Sequence, residues 1–261
     1  MKRNYVIAAV LAVILIVIVA AAAAYYHDDD TDDRETIVVK TSDDHAPFNY
    51  GLDGELTGID IDLLRAIGTE MDCNLKFECS DSFKGILDSV KDKGCDIAAA
   101  GITITDERAK TALFSDPYVE VRQVVVVKLD AVYTESDLKD IRVATKVNTT
   151  SMDIANRYND STLLYPNYDE AVRAVINGEA DCEITDSMVA QSQLSRNPEI
   201  KVIDILDCHE KFAFMFPDDR QDLRDRVNAA MDALEKNGTV DDILDYYYQE
   251  DYNTVPSYFD Q

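Results

Sequence analysis

Cys95-Asp96-Ile97-Ala98-Ala99-Ala100-Gly101-Ile102-Thr103-Ile104-Thr105-Asp106-Glu107-Arg108 passes from an apolar run, through a glycine and two threonines, into a charged segment. Cys95 to Ala100 reads as a strand almost without polar alternation, which belongs in a parallel sheet covered on both faces. Thr105 opens a helix, and Asp106 and Glu107 suit the positive end of its dipole. Upstream, Thr36 to Lys40 is a strand of β-branched residues, followed by the loop Thr41 to Tyr50 and a turn-rich hairpin from Gly51 to Gly58. Asp60 is placed as the cap of a helix carrying Leu63, Leu64, Ile67 and Met71 at three- and four-residue spacing. Leu75 to Cys79 is a strand, and Phe83 to Lys93 a helix closed by Gly94.

The same alternation repeats downstream. Strands are expected at Gln123 to Val127, Ile141 to Lys146, Leu163 to Tyr165, Ala180 to Thr185, Val202 to Ile205 and Phe212 to Phe216. Helices are expected at Glu135 to Lys139, Thr149 to Tyr158, Asp169 to Asn177, Ser187 to Leu194, Gln221 to Lys236 and Val240 to Tyr248. The result is two α/β units and a C-terminal helical part. Ligands of such sheets bind at the carboxyl ends of strands. That rule selects three loops: Ala100 to Arg108, Lys146 to Ser151, and Thr185 to Ser187.

Composition narrows the partners. The chain has 51 acidic and 25 basic side chains, a formal net charge of -26, and is 46% hydrophobic. It can bury a core, but phosphate repels it, so nucleic acid is excluded as a partner. HExxH, CxxC, P-loop and GxSxG patterns do not occur, and no metal or other cofactor is expected. Lys2 and Arg3 precede an apolar run from Tyr5 to Tyr26, which as helix would rise about 33 Å, enough for a hydrocarbon core of roughly 30 Å. Residues 1-26 are therefore expected to be a membrane anchor or a signal peptide, with the remainder extracytoplasmic. Residues 27-35 form an acidic tether. Five cysteines follow (Cys73, Cys79, Cys95, Cys182, Cys208), an odd number whose pairing the sequence leaves open.

The three loops share one chemistry. Gly101 lets a ligand approach the main chain, and Arg108 offers a planar fork suited to a carboxylate. Asn148-Thr149-Thr150-Ser151 supplies the free amides of a helix start. Asp186, after an apolar strand, can receive an ammonium, and His45 and Phe83 can wall a side chain. Together these residues describe a site for an α-amino acid zwitterion.

The ordered stretches Ala46-Pro47-Phe48, Gly58-Ile59-Asp60-Ile61-Asp62-Leu63, Ala100 to Arg108, Phe114-Ser115-Asp116-Pro117-Tyr118, Thr149-Thr150-Ser151 and Lys236-Asn237-Gly238-Thr239 carry a resemblance. Over about residues 36 to 250 the chain resembles the extracytoplasmic solute-binding proteins of polar amino acid ABC importers. Among them it is most similar to the glutamine-binding proteins. The resemblance implies a two-lobed type II periplasmic-binding-protein fold. Lobe 1 would comprise 36-121 plus 210-261 and lobe 2 122-209, with the ligand between them. It implies that Arg108 and the Thr150 amide hold the ligand carboxylate, beside Ser151, and that Gly101 (following Ala100), Thr103 and Asp186 hold the ammonium. Phe83 and His45 would flank the side chain, and Lys146 would reach its polar end. His45 stands where an aromatic ring is usual, and Ser42 where glutamine binders carry an acid, so glutamate rivals glutamine. The implied partners are an ABC permease and ATPase, with the protein a monomer. Two other readings are a cyclohexadienyl (arogenate) dehydratase-like enzyme, for which Glu183 would be the acid, and a membrane-tethered amino acid sensor.

Overall fold

The computed structural model describes residues 33–252. The expected anchor over 1-26 and most of the acidic tether lie outside the described residues. Among the described residues no helix is long and apolar enough to cross a membrane.

From Thr36 the chain forms one compact unit built on two sheets. It enters as β1 (Thr36–Thr41), makes a small antiparallel sheet from β2 (Asp44–His45), β3 (Asn49–Leu52) and β4 (Glu55–Thr57), and turns into α1 (Ile59–Glu70). β5 (Asn74–Cys79) pairs parallel with one side of β1. After α2 (Phe83–Lys91), β6 (Ile97–Ala98) pairs parallel with the other. α3 (Asp106–Ala109) then leads to β7 (Ala112–Phe114). The second sheet takes β8 (Val119–Lys128), β9 (Val143–Lys146), β10 (Leu163–Tyr165), β11 (Cys182–Asp186) and β12 (Ile200–Phe212), in the order β10-β9-β11-β8-β12. Its helices are α4 (Thr150–Tyr158), α5 (Tyr168–Asn177) and α6 (Ser187–Arg196). The chain then returns to the first sheet as β13 (Met215–Pro217), antiparallel to β6 and β7, and ends in α7 (Gln221–Lys236) and α8 (Thr239–Tyr252).

The apolar strands behave as their patterns require. Val124, Val125, Val126 and Val127 are all fully buried because alternate side chains enter different cores. Val125 and Val127 pack with Ile154 and Ile184, whereas Val124 and Val126 pack with Val172 and Ala190. On the first sheet, Leu63, Leu64 and Ile67 of α1 join Phe214, Phe216, Val227 and Met231 in the largest core. Each such side chain contributes roughly 1.5–3 kcal/mol by leaving water.

Several expectations need correction. Both sheets are mixed: β13 in the first, and β8 against β11 and β12 in the second, run antiparallel. The strand expected at Val202 to Ile205 runs on to Phe212, because polar His209, Glu210 and Lys211 pair with Arg122, Val121 and Glu120 of β8. The strand expected to begin at Phe212 therefore begins at Met215. β7 was not foreseen, and Glu135–Asp137 is a 3-10 turn. The paired ends of β8 and β12 lie beside the first sheet, where Ile104 donates to the Lys211 carbonyl and Ala213 to that of Ile102. These two strands thus carry the chain between the sheets.

Asp60 is not a helix cap. Gly58 occupies that position at φ 123°, where an added Cβ would meet the Phe48 carbonyl oxygen at 2.2 Å. Asp60 is instead buried within α1, accepting the Gly101 amide at 2.7 Å and the Tyr118 hydroxyl at 2.5 Å. Burial pushes its carboxyl from 3.8 up to about 6, against the lowering effect of those hydrogen bonds. A raised folded-state value means that stability is fully present below about pH 4 and is lost as pH rises through about 6. The difference is worth on the order of 3 kcal/mol. In urea melts across pH 4 to 7, Asp60→Asn should lose this part of the pH slope. An unchanged slope would show that Asp60 ionises as freely in the folded chain as in the unfolded one.

Candidate functional site

The three selected loops meet in one cleft between the sheets. His45, Phe83, Gly101, Thr103 and Arg108 line it from the side of the first sheet. Lys146, Thr149, Thr150, Tyr168 and Asp186 line it from the second. Glu210 and Phe212, on β12, close it where the chain crosses. Eight of the ten sequence-derived candidates therefore share one cavity. The other two stand behind it: the Ala100 carbonyl lies 3.2 Å from His45 Nδ1, and Ser151 Oγ lies 3.1 Å from the Tyr168 hydroxyl.

Local structure places each group. Thr105 caps α3 by accepting the Arg108 amide, which sets Arg108 in its first turn. The guanidinium does not pair with the neighbouring acids. Glu107 pairs with Lys110, while Arg108 turns inward, donates to the Thr103 carbonyl at 2.8 Å and lies 5.3 Å above the Phe83 ring. Burial pulls its pKa below the ordinary value, partly offset by Glu210 and Asp153. Thr149 caps α4, so Thr150 presents the helix start to the cleft. Asp186 ends β11 and caps α6, with Oδ1 accepting the Met188 and Val189 amides at 3.1 and 2.9 Å.

Lys146 is only 2% exposed. Its amine lies 5.8 Å from the Phe83 ring centre and 5.6 Å from that of Tyr168, two faces that attract a cation. Among the described residues its ion-pair partner is Asp44, at 3.5 Å. Desolvation lowers its pKa, with Asp44 and Asp186 acting in the opposite direction. Asp44 escaped the sequence reading, which weighed Ser42; in the structure Ser42 donates its hydroxyl to Asp44 at 2.8 Å.

Glu210 was also missed. It is buried, and one carboxylate oxygen accepts from Thr103 at 2.8 Å and from Thr150 at 2.9 Å. The signal was hidden because β12 was expected to stop at Ile205. Tyr168 was missed too: the helix was expected to begin at Asp169, whereas it begins at Tyr168, after the Asn167 cap. Glu183, the acid of the enzyme reading, does not line the cleft. It is buried on β11, where Gln193 donates to it at 3.2 Å, and desolvation holds its pKa well above the ordinary range.

Gly101 adopts φ 58°, and an added Cβ would lie 2.8 Å from His45 Cε1. Gly101→Ala should cost about 1–3 kcal/mol of folding stability through the left-handed backbone. It should also push the His45 ring off its seat. Denaturant melts and a near-ultraviolet difference spectrum would check both effects, and an unaltered melt would show that the loop relaxes freely.

A model of the bacterial extracellular solute-binding proteins, family 3, matches residues 37–250. The chain belongs to that family. This family-3 protein is 29% identical over 224 residues to ABC transporter arginine-binding protein 1 of Escherichia coli, covering 83% of this chain and 92% of that one. Among solved structures it is similar to the arginine-, lysine-, histidine-binding protein ArtJ of Geobacillus stearothermophilus (TM-score 0.77, 28% identity, 85% and 97% coverage). It is also similar to an ancestral arginine-binding protein bound to glutamine (TM-score 0.76, 30% identity, 82% and 98% coverage). The two-lobed type II fold and polar amino acid binding follow from this membership, as does a location outside the cytoplasm. These three relatives are binding proteins by name.

Proposed function

We propose that this family-3 protein binds glutamine or glutamate between its two sheets and presents it to an ABC permease and ATPase. The observation that carries the choice of ligand is Lys146. Two of the relatives named above bind arginine, or arginine, lysine and histidine, by name, and the third, an arginine-binding protein, is bound to glutamine. A cationic side chain such as that of arginine or lysine would meet a buried cation here. A carbonyl or carboxylate end would instead accept from the ammonium, and the neighbouring Asp44 can accept from an amide. Arg108 with the Thr150 amide takes the α-carboxylate, while Asp186 and the Gly101–Thr103 loop take the α-ammonium. Phe83 and Tyr168 face the side chain. The lobes are 36-121 plus 210-261 and 122-209, they close about the paired ends of β8 and β12, and residues 1-26 hold the protein to the membrane as a monomer. Calorimetry of the full chain with each proteinogenic amino acid tests the reading. The expected result is micromolar or tighter binding of glutamine or glutamate, roughly 8 kcal/mol or more, and far weaker binding of arginine. Binding of arginine alone would overturn the ligand choice, and no binding at all would overturn the receptor reading.

A further inference from the structure

His45 lines the cleft, yet its ring is placed as more than a wall. It is 5% exposed and lies 5.3 Å from the rings of both Phe48 and Tyr168. Nδ1 sits 3.2 Å from the Ala100 carbonyl oxygen. A carbonyl cannot donate, so Nδ1 carries the hydrogen, and in the neutral ring Nε2 is left with a lone pair. Among the described residues that Nε2 has no hydrogen-bond partner, and it is buried 3.8 Å from Asp186 Oδ2. The other Asp186 oxygen is committed to the start of α6. With the ring neutral, two acceptors face one another across the cleft, one from each lobe, and neither can donate to the other.

We infer that His45 Nε2 and Asp186 Oδ2 form a two-acceptor seat for the α-ammonium of the ligand. One ammonium nitrogen at about 2.9 Å from each atom spans the gap and satisfies both. The peptide that orients the seat is itself held at both ends. The Ala100 carbonyl accepts from Nδ1, and the amide of the same peptide unit, on Gly101, donates to Asp60 at 2.7 Å. Gly101 has no Cβ, which leaves room for the ring. The ligand class that follows is an α-ammonium with at least two N–H groups, primary or secondary. A quaternary ammonium offers none and is rejected.

This inference rests on the amino-acid-binding reading, and the test separates the two. Full-length chain is titrated with L-glutamine and with L-glutamate, as wild type, His45→Phe and His45→Gln. The phenyl ring keeps the aromatic packing but removes the acceptor, so affinity should fall about tenfold or more, the ~1.4 kcal/mol of a lost hydrogen bond. Glutamine at this position restores an acceptor and should stay within about threefold of wild type. The chain has only three histidines, so two-bond hydrogen–nitrogen spectra of the labelled imidazoles can be assigned. In the bound protein Nδ1 should carry the hydrogen of His45 and Nε2 none. This signature survives even if His45→Phe does not fold. Unchanged or tighter binding by His45→Phe would leave His45 a wall, and a hydrogen on Nε2 in the bound protein would equally overturn the seat. A wild-type chain that binds no amino acid would instead overturn the receptor reading, and the seat with it.

Discussion

Arg108→Ala should weaken binding of glutamine or glutamate by a factor of roughly 30 to several thousand. Truncating one partner of a buried, charge-assisted pair costs about 2–5 kcal/mol, and each 1.4 kcal/mol is tenfold. The ligand-free protein should feel far less. There Arg108 makes one hydrogen bond, to the Thr103 carbonyl at 2.8 Å, and lies above the Phe83 ring. Those contacts are worth about 1–2 kcal/mol together, and part of that is offset because the mutation removes a desolvated charge. Calorimetry and urea melts on the same preparation separate the two effects. Intact affinity with apo stability lowered by several kcal/mol would make Arg108 a structural residue. The contrast is measurable because Arg108 reaches the cleft from a four-residue helix, α3, that supplies none of the buried core.

The sequence and the structure agree best where chemistry and periodicity coincide. Gln221–Lys236 has the same bounds in both, since Leu223, Val227, Ala230, Met231 and Leu234 fall at helical spacing, and Leu163–Tyr165 keeps its bounds as a short apolar run between Thr162 and Pro166. The cleft loops were legible because each joins an apolar strand to a capped helix start, and Gly101, Thr149 and Asp186 mark the joints. Glu210 and Asp44 were not legible. Each is a polar residue in a stretch without a period: Asp44 belongs to a two-residue strand, and Glu210 follows the β-bulge between Ile205 and His209. Only tertiary structure turns such residues inward. Asp60 was misread for a related reason. An aspartate at a helix start ordinarily caps it, but here Gly58 caps, and the carboxylate is drawn beneath the Gly101 loop by Gly101 and Tyr118. His45 lines the cleft, but the surroundings of its ring nitrogens are set only once Ala100 and Asp186 are placed around it.

Lys146→Met should change which amino acid is bound more than whether the protein folds. Methionine keeps most of the side-chain length and lets the Phe83 and Tyr168 rings stay covered, while removing a cation that is 2% exposed. Replacing a buried charge by an apolar group of similar shape is often neutral or stabilising by about 1–4 kcal/mol. The abandoned Asp44 carboxylate, whose side chain is 37% exposed, recovers solvation from water. Apo stability should therefore hold or rise. Glutamate should suffer most, losing about 2–5 kcal/mol of binding as its side-chain carboxylate is left without a partner in the cleft. Glutamine, a neutral acceptor, should lose about 1–3 kcal/mol, the cost of one unsatisfied buried group. Arginine should gain, because the like charge that opposed it is gone and Asp44 remains to receive a guanidinium. The order glutamate, then glutamine, then arginine by loss of affinity is thus the signature of a selectivity lysine, read by calorimetry with three ligands. Equal losses for all three would show that Lys146 only holds the lobes together through Asp44, and the choice of glutamine or glutamate over arginine would lose its physical basis.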